Sequence, residues 1–405
     1  MILPLLITAA VTRGQVAVDT NATHILAPAD TTHPGPDHDI IDLFRSLFHL
    51  HSSGKSDAIQ PGDKPVISAL PAIGYTLQTR LAALVTGNIA FFTRADPQAK
   101  LSVINAMVNY TQNKQFTIPV FANVWLKGNQ YNLLADWRYM KYPQSTFGLG
   151  TDSRLNEENP MDYRYLRMYQ YLLRRVLPAL SLGLGFDLDY HWKISEKGRA
   201  GGIPTDFANY GADDRTLSAG PALAAQFDSR NSPIRATRGS YASLVARFNR
   251  KATGSDGNWE SATLDLRTYL PFPGKSKHTL ALWCYTWTVL GGKPPYLDLP
   301  SNGWDSFNNT GRGYIQGRFR GRAMCYLETE YRLTLTHDGL LGMVLFANME
   351  SFSSGSSTKL QQLRPASGLG MRIKLNKKSN TNICLDYGFG AEGMKGLFVN
   401  VGEVF

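Results

Sequence analysis

Only three cysteines, Cys284, Cys325 and Cys384, occur in 405 residues, and their wide spacing offers no metal-ligand pair. Their odd number argues against a disulfide framework, and each lies in a strand-like context that suits a small packing residue. The chain also lacks any apolar run near the roughly 18 residues that a membrane helix needs, which excludes a polytopic helical membrane protein. Gly-x-Ser-x-Gly, a phosphate-binding P-loop, His-Glu-x-x-His and Cys-x-x-Cys are all missing. With no nucleophile set beside a base, the expectation is a protein that is not an enzyme, with no catalytic residue, cofactor or metal. Lys and Arg number 42 against 32 Asp and Glu, a formal charge of +10. Such a balance suits nucleic acid or acidic headgroups. The cations are scattered rather than clustered, so no nucleic-acid face is expected.

What the chain has is period two. Leu180 to Trp192 places apolar residues at every even position and Ser, Gly, Asp or His at the odd ones. Tyr131, Leu133, Ala135, Trp137 and Tyr139 alternate against Asn132, Asp136 and Arg138. Ala262, Leu264 and Leu266 alternate against Ser261, Thr263, Asp265 and Arg267. Thr279, Ala281, Trp283, Tyr285 and Trp287 read as a further outward face. A soluble sandwich alternates too, but strands this long suit tilted membrane spans, and the 19 Tyr, 19 Phe and 7 Trp suit interfacial girdles.

The rule predicts 16 strands: 66–76, 79–93, 100–112, 115–127, 130–140, 163–174, 178–192, 216–227, 239–251, 257–269, 277–288, 322–335, 340–352, 364–376, 380–389 and 396–405. The sixth could also be read as helix. Short connections (95–99, 127–130, 271–275, 336–339, 376–380) alternate with long ones (143–162, 193–215, 291–321), as outer-membrane barrels require. The fold class expected is therefore all-β, a 16-stranded antiparallel transmembrane β-barrel. Parity puts the connection after the eleventh strand in the sixth extracellular loop.

Residues 1–16 read as a secretory signal peptide, although no Lys or Arg precedes the apolar core; a buried N-terminal strand is the alternative. Residues 17–64 are polar, with a short amphipathic helix carrying Ile40, Leu43, Phe44, Leu47 and Phe48 after a cap at Asp37 or Asp39. His33, His38, His49 and His51 flank it without a convincing ligand context. The barrel is assigned to residues 65–405. Asp187 and Asp189, two apart on one strand face and so about 7 Å apart, could be an inverting-glycosidase pair, but polar lining of a barrel interior fits them better.

Residues 311–321, Gly-Arg-Gly-Tyr-Ile-Gln-Gly-Arg-Phe-Arg-Gly, hold four glycines and three arginines, which rules out a helix or a central strand. An exposed basic loop is the plain reading. Guanidinium groups in a low-dielectric place would instead need carboxylate or carbonyl partners. Arg312-Gly313-Tyr314, followed by Gly317, Arg318, Phe319, Arg320 and Gly321, resembles the Arg-Gly-aromatic loop tip of the BamA/TamA superfamily of outer-membrane barrels, the bacterial surface antigen family. Asp228, Arg230, Pro233 and Gly239 resemble that family's periplasmic turn. The ending with Val399, Val401 and Phe405 resembles its C-terminal targeting signal.

The resemblance covers residues 65–405 and implies a loop folded back into the barrel, with Arg312 paired to acidic wall residues. Glu328 and Glu330 share one strand face with Tyr326 and Arg332, and Glu330 matches the family's acidic partner. Asn348 stands where the family usually has Asp. The resemblance further implies a bacterial outer-membrane location and contact with outer-membrane lipid and lipopolysaccharide. It also implies dependence on the barrel assembly machinery and a role in inserting, translocating or displaying other proteins. Fewer than 50 residues between the signal and the barrel leave no room for a POTRA domain, so a short form without these domains is expected. The alternatives are a barrel that anchors or exports a periplasmic or surface partner, with the N-terminal helix docking it, and a passive pore. Client, oligomeric state and signal cleavage site are not legible in the sequence.

Overall fold

The computed structural model describes residues 61–272, 278–306, 308–376 and 381–405. The signal peptide, the polar segment up to residue 60 and its amphipathic helix lie outside the described residues. From Val66 on, the chain forms one 17-stranded sheet. Its strands are β1 (Val66–Thr76), β2 (Arg80–Phe91), β3 (Ser102–Thr111), β4 (Phe116–Leu126), β5 (Tyr131–Lys141), β6 (Gln144–Thr146), β7 (Asn159–Leu177), β8 (Leu180–Glu196) and β9 (Arg215–Asp228). They continue as β10 (Gly239–Asn249), β11 (Trp259–Pro271), β12 (Thr279–Gly292), β13 (Ala323–Thr334), β14 (Leu341–Phe352), β15 (Arg364–Asn376), β16 (Thr381–Phe389) and β17 (Lys395–Val401). The count exceeds the expected 16 because three residues of the first long connection, β6, pair with β7 beyond the end of β5. The segment expected at 163–174 is a strand, longer than anticipated at 19 residues.

Every ladder is antiparallel, and neighbours in sequence are neighbours in the sheet from β1 round to β17. Cα atoms of β1 and β17 also come within 8 Å, so the sheet wraps round until its edges meet. Among the described residues no ladder joins these two strands. The connections 142–158, 197–214, 293–322 and 353–363 share one end; the second holds a helical turn, α1 (Asp206–Gly211), capped by the Thr205 side chain.

Alternation sorts the side chains. Leu182, Leu184 and Phe186 of β8 are exposed, whereas Asp187 and Asp189 are buried. Leu133 and Trp137 of β5 point outward while Arg138 points in. So the outer surface is apolar and the inner one holds the charges, the reverse of a soluble protein. One strand departs from expectation. Ala281, Trp283 and Tyr285 of β12 are buried and face inward, and Leu282 faces out. The neighbouring Leu280, Cys284 and Thr286 carry no charge, and neither does the inner face, so no charged residue marked the inner side of β12. The aromatics are needed inside, where they pack with Tyr314 and Phe319 of the 293–322 connection and with Phe405.

The final strand also differs from the expected 396–405. It ends at Val401, and Gly402, at φ 93°, turns the chain away from the sheet. Val404 and Phe405 are buried, and the Phe405 ring lies 5.1 Å from that of Trp283.

Candidate functional site

The connection from Lys293 to Arg322 packs against the inner wall and is fastened there at several points. Its tip bears Arg312, which is 2% exposed. The β13 alternation that buries Tyr326, Glu328 and Glu330 aims both carboxylates inward. Arg312 Nη2 donates to Glu330 Oε1 at 2.5 Å and also to Glu328 Oε1, while Nη1 donates to Asp386 Oδ2 at 2.8 Å. Its guanidinium carbon lies 3.9 Å from the Phe346 ring centroid. Asn348 serves the same residue differently, donating from Nδ2 to the Arg312 carbonyl at 2.9 Å. Three carboxylates around one buried guanidinium would leave uncompensated negative charge, and Arg332 and Arg372 compensate it. Arg332 Nε donates to Glu330 Oε2 at 2.7 Å, and Arg372 Nη1 donates to Asp386 Oδ1 at 2.5 Å. Such a network is held by its mutual partners, since losing one leaves another charge buried alone.

The glycines of the tip let its backbone lie directly on the wall. Gly313 has φ 103°, and a β-carbon there would stand 2.8 Å from Ala366 Cβ. Tyr314 is buried and donates from its hydroxyl to the Pro365 carbonyl at 2.6 Å. Gly317, at φ 78°, turns beside Gln144, whose Nε2 donates to the Gln316 carbonyl at 3.1 Å. Arg318 reaches away from the Arg312 cluster: Nη2 donates to Ser153 O at 2.8 Å and to Glu392 Oε2 at 3.0 Å. Arg320 caps its own loop, Nη1 donating to the carbonyls of Leu297 at 2.9 Å and Tyr296 at 3.1 Å. Phe319 stacks on Phe352 at 5.8 Å, and a β-carbon at Gly321 would collide with the Ser353 carbonyl. The three arginines thus hold three different regions together.

A second fastening, invisible in the motif, lies on the opposite wall. Asp298 accepts from Ser218 Oγ at 2.6 Å, and its Oδ1 stands 3.4 Å from His191 Nδ1. Burial and then the Asp189 charge raise the Asp298 carboxyl to about 7. Arg138 of β5 donates to the Ser306 carbonyl at 2.6 Å. Asp189 sits below, accepting from Tyr169 at 2.8 Å and from Arg247 and Tyr165, and Asp187 accepts from Tyr171 at 2.8 Å. Both aspartates line the interior, each engaged by tyrosine hydroxyls.

The remaining sequence-predicted residues lie elsewhere. In the turn after β9, Arg230 folds back on Asp228, donating from Nε at 3.0 Å and from Nη2 at 2.8 Å. Pro233 is buried in that turn, and Gly239 opens β10 at φ 95°. Val401 faces outward, Val399 is half-buried, and Phe405 has left the strand. Among the residues missed beforehand are Asp386 and Gly388 of β16; only their place across from the loop tip in space reveals them.

No protein-family model and no curated protein sequence matches the chain. Among solved structures, BamA from Haemophilus ducreyi lacking POTRA domains 1–3 superposes with a TM-score of 0.54 at 14% identity, over 84% of this chain and 70% of that one. CdiB from Acinetobacter baumannii gives 0.53 at 13% identity, over 84% and 59%. CdiB from Escherichia coli gives 0.50 at 10%, over 87% and 68%. This chain therefore spans about 60–70% of the length of those chains. At such identities the likeness is one of fold, and the fold here is that of the BamA and CdiB barrels.

Proposed function

We propose that the chain is the barrel of a bacterial outer-membrane protein that helps other polypeptides insert into or cross that membrane at the seam between β1 and β17. The observation that carries this reading is the seam itself. Among the described residues every other pair of successive long strands shares a ladder, but these two meet without one, and β17 is only 7 residues long before it turns inward. Unpaired backbone groups at such an edge favour pairing with an incoming strand. The outward leucines and phenylalanines support a membrane setting, where a hydrogen-bonded strand wall satisfies the backbone. An interior crossed by the 293–322 connection speaks against a passive pore. In this orientation the longer connections face outside and the turn after β9 faces the periplasm.

The test uses a barrel whose Cys284, Cys325 and Cys384 are replaced by Ser. Cysteine pairs are then scanned between Ser68–Gly74 and Leu397–Val401. An oxidised pair should halt delivery of other proteins to or through the outer membrane, and reduction should restore it. Full delivery through a covalently closed seam would overturn the reading in favour of an anchor or exporter working elsewhere on the barrel.

A further inference from the structure

We propose that the rim at the short-connection end carries a binding site for the phosphate of an anionic phospholipid, formed by Arg94, Lys127 and Arg174 around Tyr131. The inference rests on the membrane reading above and adds a ligand to it. Arg174 is the ladder partner of Tyr131. Period two turns both outward, in line with the exposed Leu133 and Leu172. Lys127 Nζ lies 5.6 Å from the centroid of the Tyr131 ring. Arg94 comes from the neighbouring connection between β2 and β3, and a β-carbon on Gly128 would stand 3.7 Å from its Nη1. The two connections are tied together. Asn129 Oδ1 accepts from Lys100 N at 2.8 Å, and its Nδ2 donates to Gln98 O at 2.7 Å. Lys127, Gly128 and Asn129 are all left-handed, at φ 47°, 65° and 66°, so the turn presents Lys127 in a costly conformation rather than letting it drift.

Among the described residues none of these three cations has an ion pair or a side-chain hydrogen bond. Asp96, the acid of the same connection, is occupied by its own turn, where Oδ1 accepts from Gln98 N at 2.9 Å. Further positive charge lies just inside. Burial, and next the Arg175 guanidinium, lower Lys100 to about 8. Asp228 offsets part of this at Lys100, but Arg94, Lys127 and Arg174 stay without an ion pair among the described residues. Like charges so gathered favour an anion among them. An acidic protein would supply one as well, but the surroundings favour lipid. Leu133, Leu172, Val176 and Leu177 are exposed beside the cations. A phospholipid offers phosphate at the rim and acyl chain along these side chains at once. An acidic soluble protein would leave them against water.

Native mass spectrometry of the detergent-purified barrel tests this, with phosphatidylglycerol as probe and phosphatidylcholine as the zwitterionic reference. The variant is the triple Arg94→Gln/Lys127→Gln/Arg174→Gln. The control, Lys251→Gln/Lys359→Gln/Lys395→Gln, removes exposed cations from the other end. Wild type and control should bind phosphatidylglycerol about tenfold or more tightly than the triple variant, and inorganic phosphate at matched concentration should not displace it. Equal binding by the triple variant, or equal retention of phosphatidylcholine, would overturn the site. Displacement by inorganic phosphate would make it a free-anion site, and displacement by polyglutamate would reassign it to an acidic protein; either overturns the lipid proposal. If the triple variant does not fold, as judged by heat-dependent gel mobility, Arg174→Gln and Lys127→Gln singly carry the comparison. A wild-type chain that never enters a bilayer would instead sink the membrane reading itself.

Discussion

A β-carbon added to Gly388 would stand 2.9 Å from both the Cα and the nitrogen of Gly313, so the loop tip and the wall of β16 meet backbone to backbone. Neither position tolerates a side chain while Arg312 keeps its reach to Asp386. Gly388→Val should push the tip off the wall and lower the unfolding temperature, whereas Gly393→Val, with open space around its β-carbon and φ 72°, should cost only local strain. Thermal unfolding of the detergent-folded variants checks it. Equal effects would mean that the close approach at Gly388 is not a constraint.

Arg312 and Glu330 should behave as a coupled pair. Arg312→Ala and Glu330→Ala should each destabilise by about 3 kcal/mol, because each leaves a buried charge unpaired. The double variant should be less than additive by about 1–3 kcal/mol. Asp386→Asn should show a smaller loss with partial coupling, since Arg372 remains its neighbour at 2.5 Å. A double-mutant cycle in denaturant provides the numbers, and strict additivity would dissolve the cluster into independent contacts.

Glu350 presents the opposite case. It is fully buried on β14, beside Gly311, and among the described residues neither carboxylate oxygen has a hydrogen-bond partner. Removing an unsatisfied buried carboxyl should help, so Glu350→Leu should hold or raise stability, by up to about 1–2 kcal/mol. A marked loss of stability would mean that the carboxylate is engaged.

The C-terminal tail makes stability sensitive to acid. Burial alone would raise Glu403, but the guanidinium groups of Arg372 and Arg332 hold it at about 2, and Arg372 Nε donates to it at 2.8 Å. Its folded pKa lies below the unfolded value near 4.5, so its contribution is complete above that pH and is lost as pH falls towards 2. The stability gap between wild type and Glu403→Gln should therefore be constant from neutral pH down to about 5 and close below it. Melting curves across pH 2–7 decide; a gap that persists at pH 2 would contradict the assignment.

Phe405 separates packing from targeting. Its ring is buried against Trp283 and Tyr269, and Arg332 donates to its carbonyl at 2.7 Å. Phe405→Ala should cost about 3 kcal/mol on refolding in detergent. Phe405→Tyr should fold nearly as well there. If the terminal aromatic also serves as an assembly signal, Phe405→Leu should lower insertion in cells more than it lowers refolding in vitro. Parallel losses in both settings would leave only the packing role.

Much of the wall was legible because each outward strand face is apolar and each inward one is not, as in β8, where Leu184 and Asp187 sort without ambiguity. Where both faces are uncharged the rule fails, and β12 was read inside out for that reason. The tail was misread because its alternation continues to Phe405, although Gly402 ends the strand. The Arg312 partners on β13 were visible through shared parity; Asp386 was not, since β14 and β15 separate it from β13 and only the curvature of the sheet brings it near. Asp298 and His191 belong to a loop and a strand distant in sequence, and no spacing announces their meeting.

Hydrogen exchange along the two edge strands, read by mass spectrometry on the bilayer-inserted barrel, addresses the seam most directly. Amides of β17 that point away from β16, and those of β1 that point away from β2, should exchange orders of magnitude faster than amides of β8, which is laddered on both sides. Protection of β1 and β17 equal to that of β8 would mean that the edges are sealed, and the account of the seam as the working part of this barrel would be wrong.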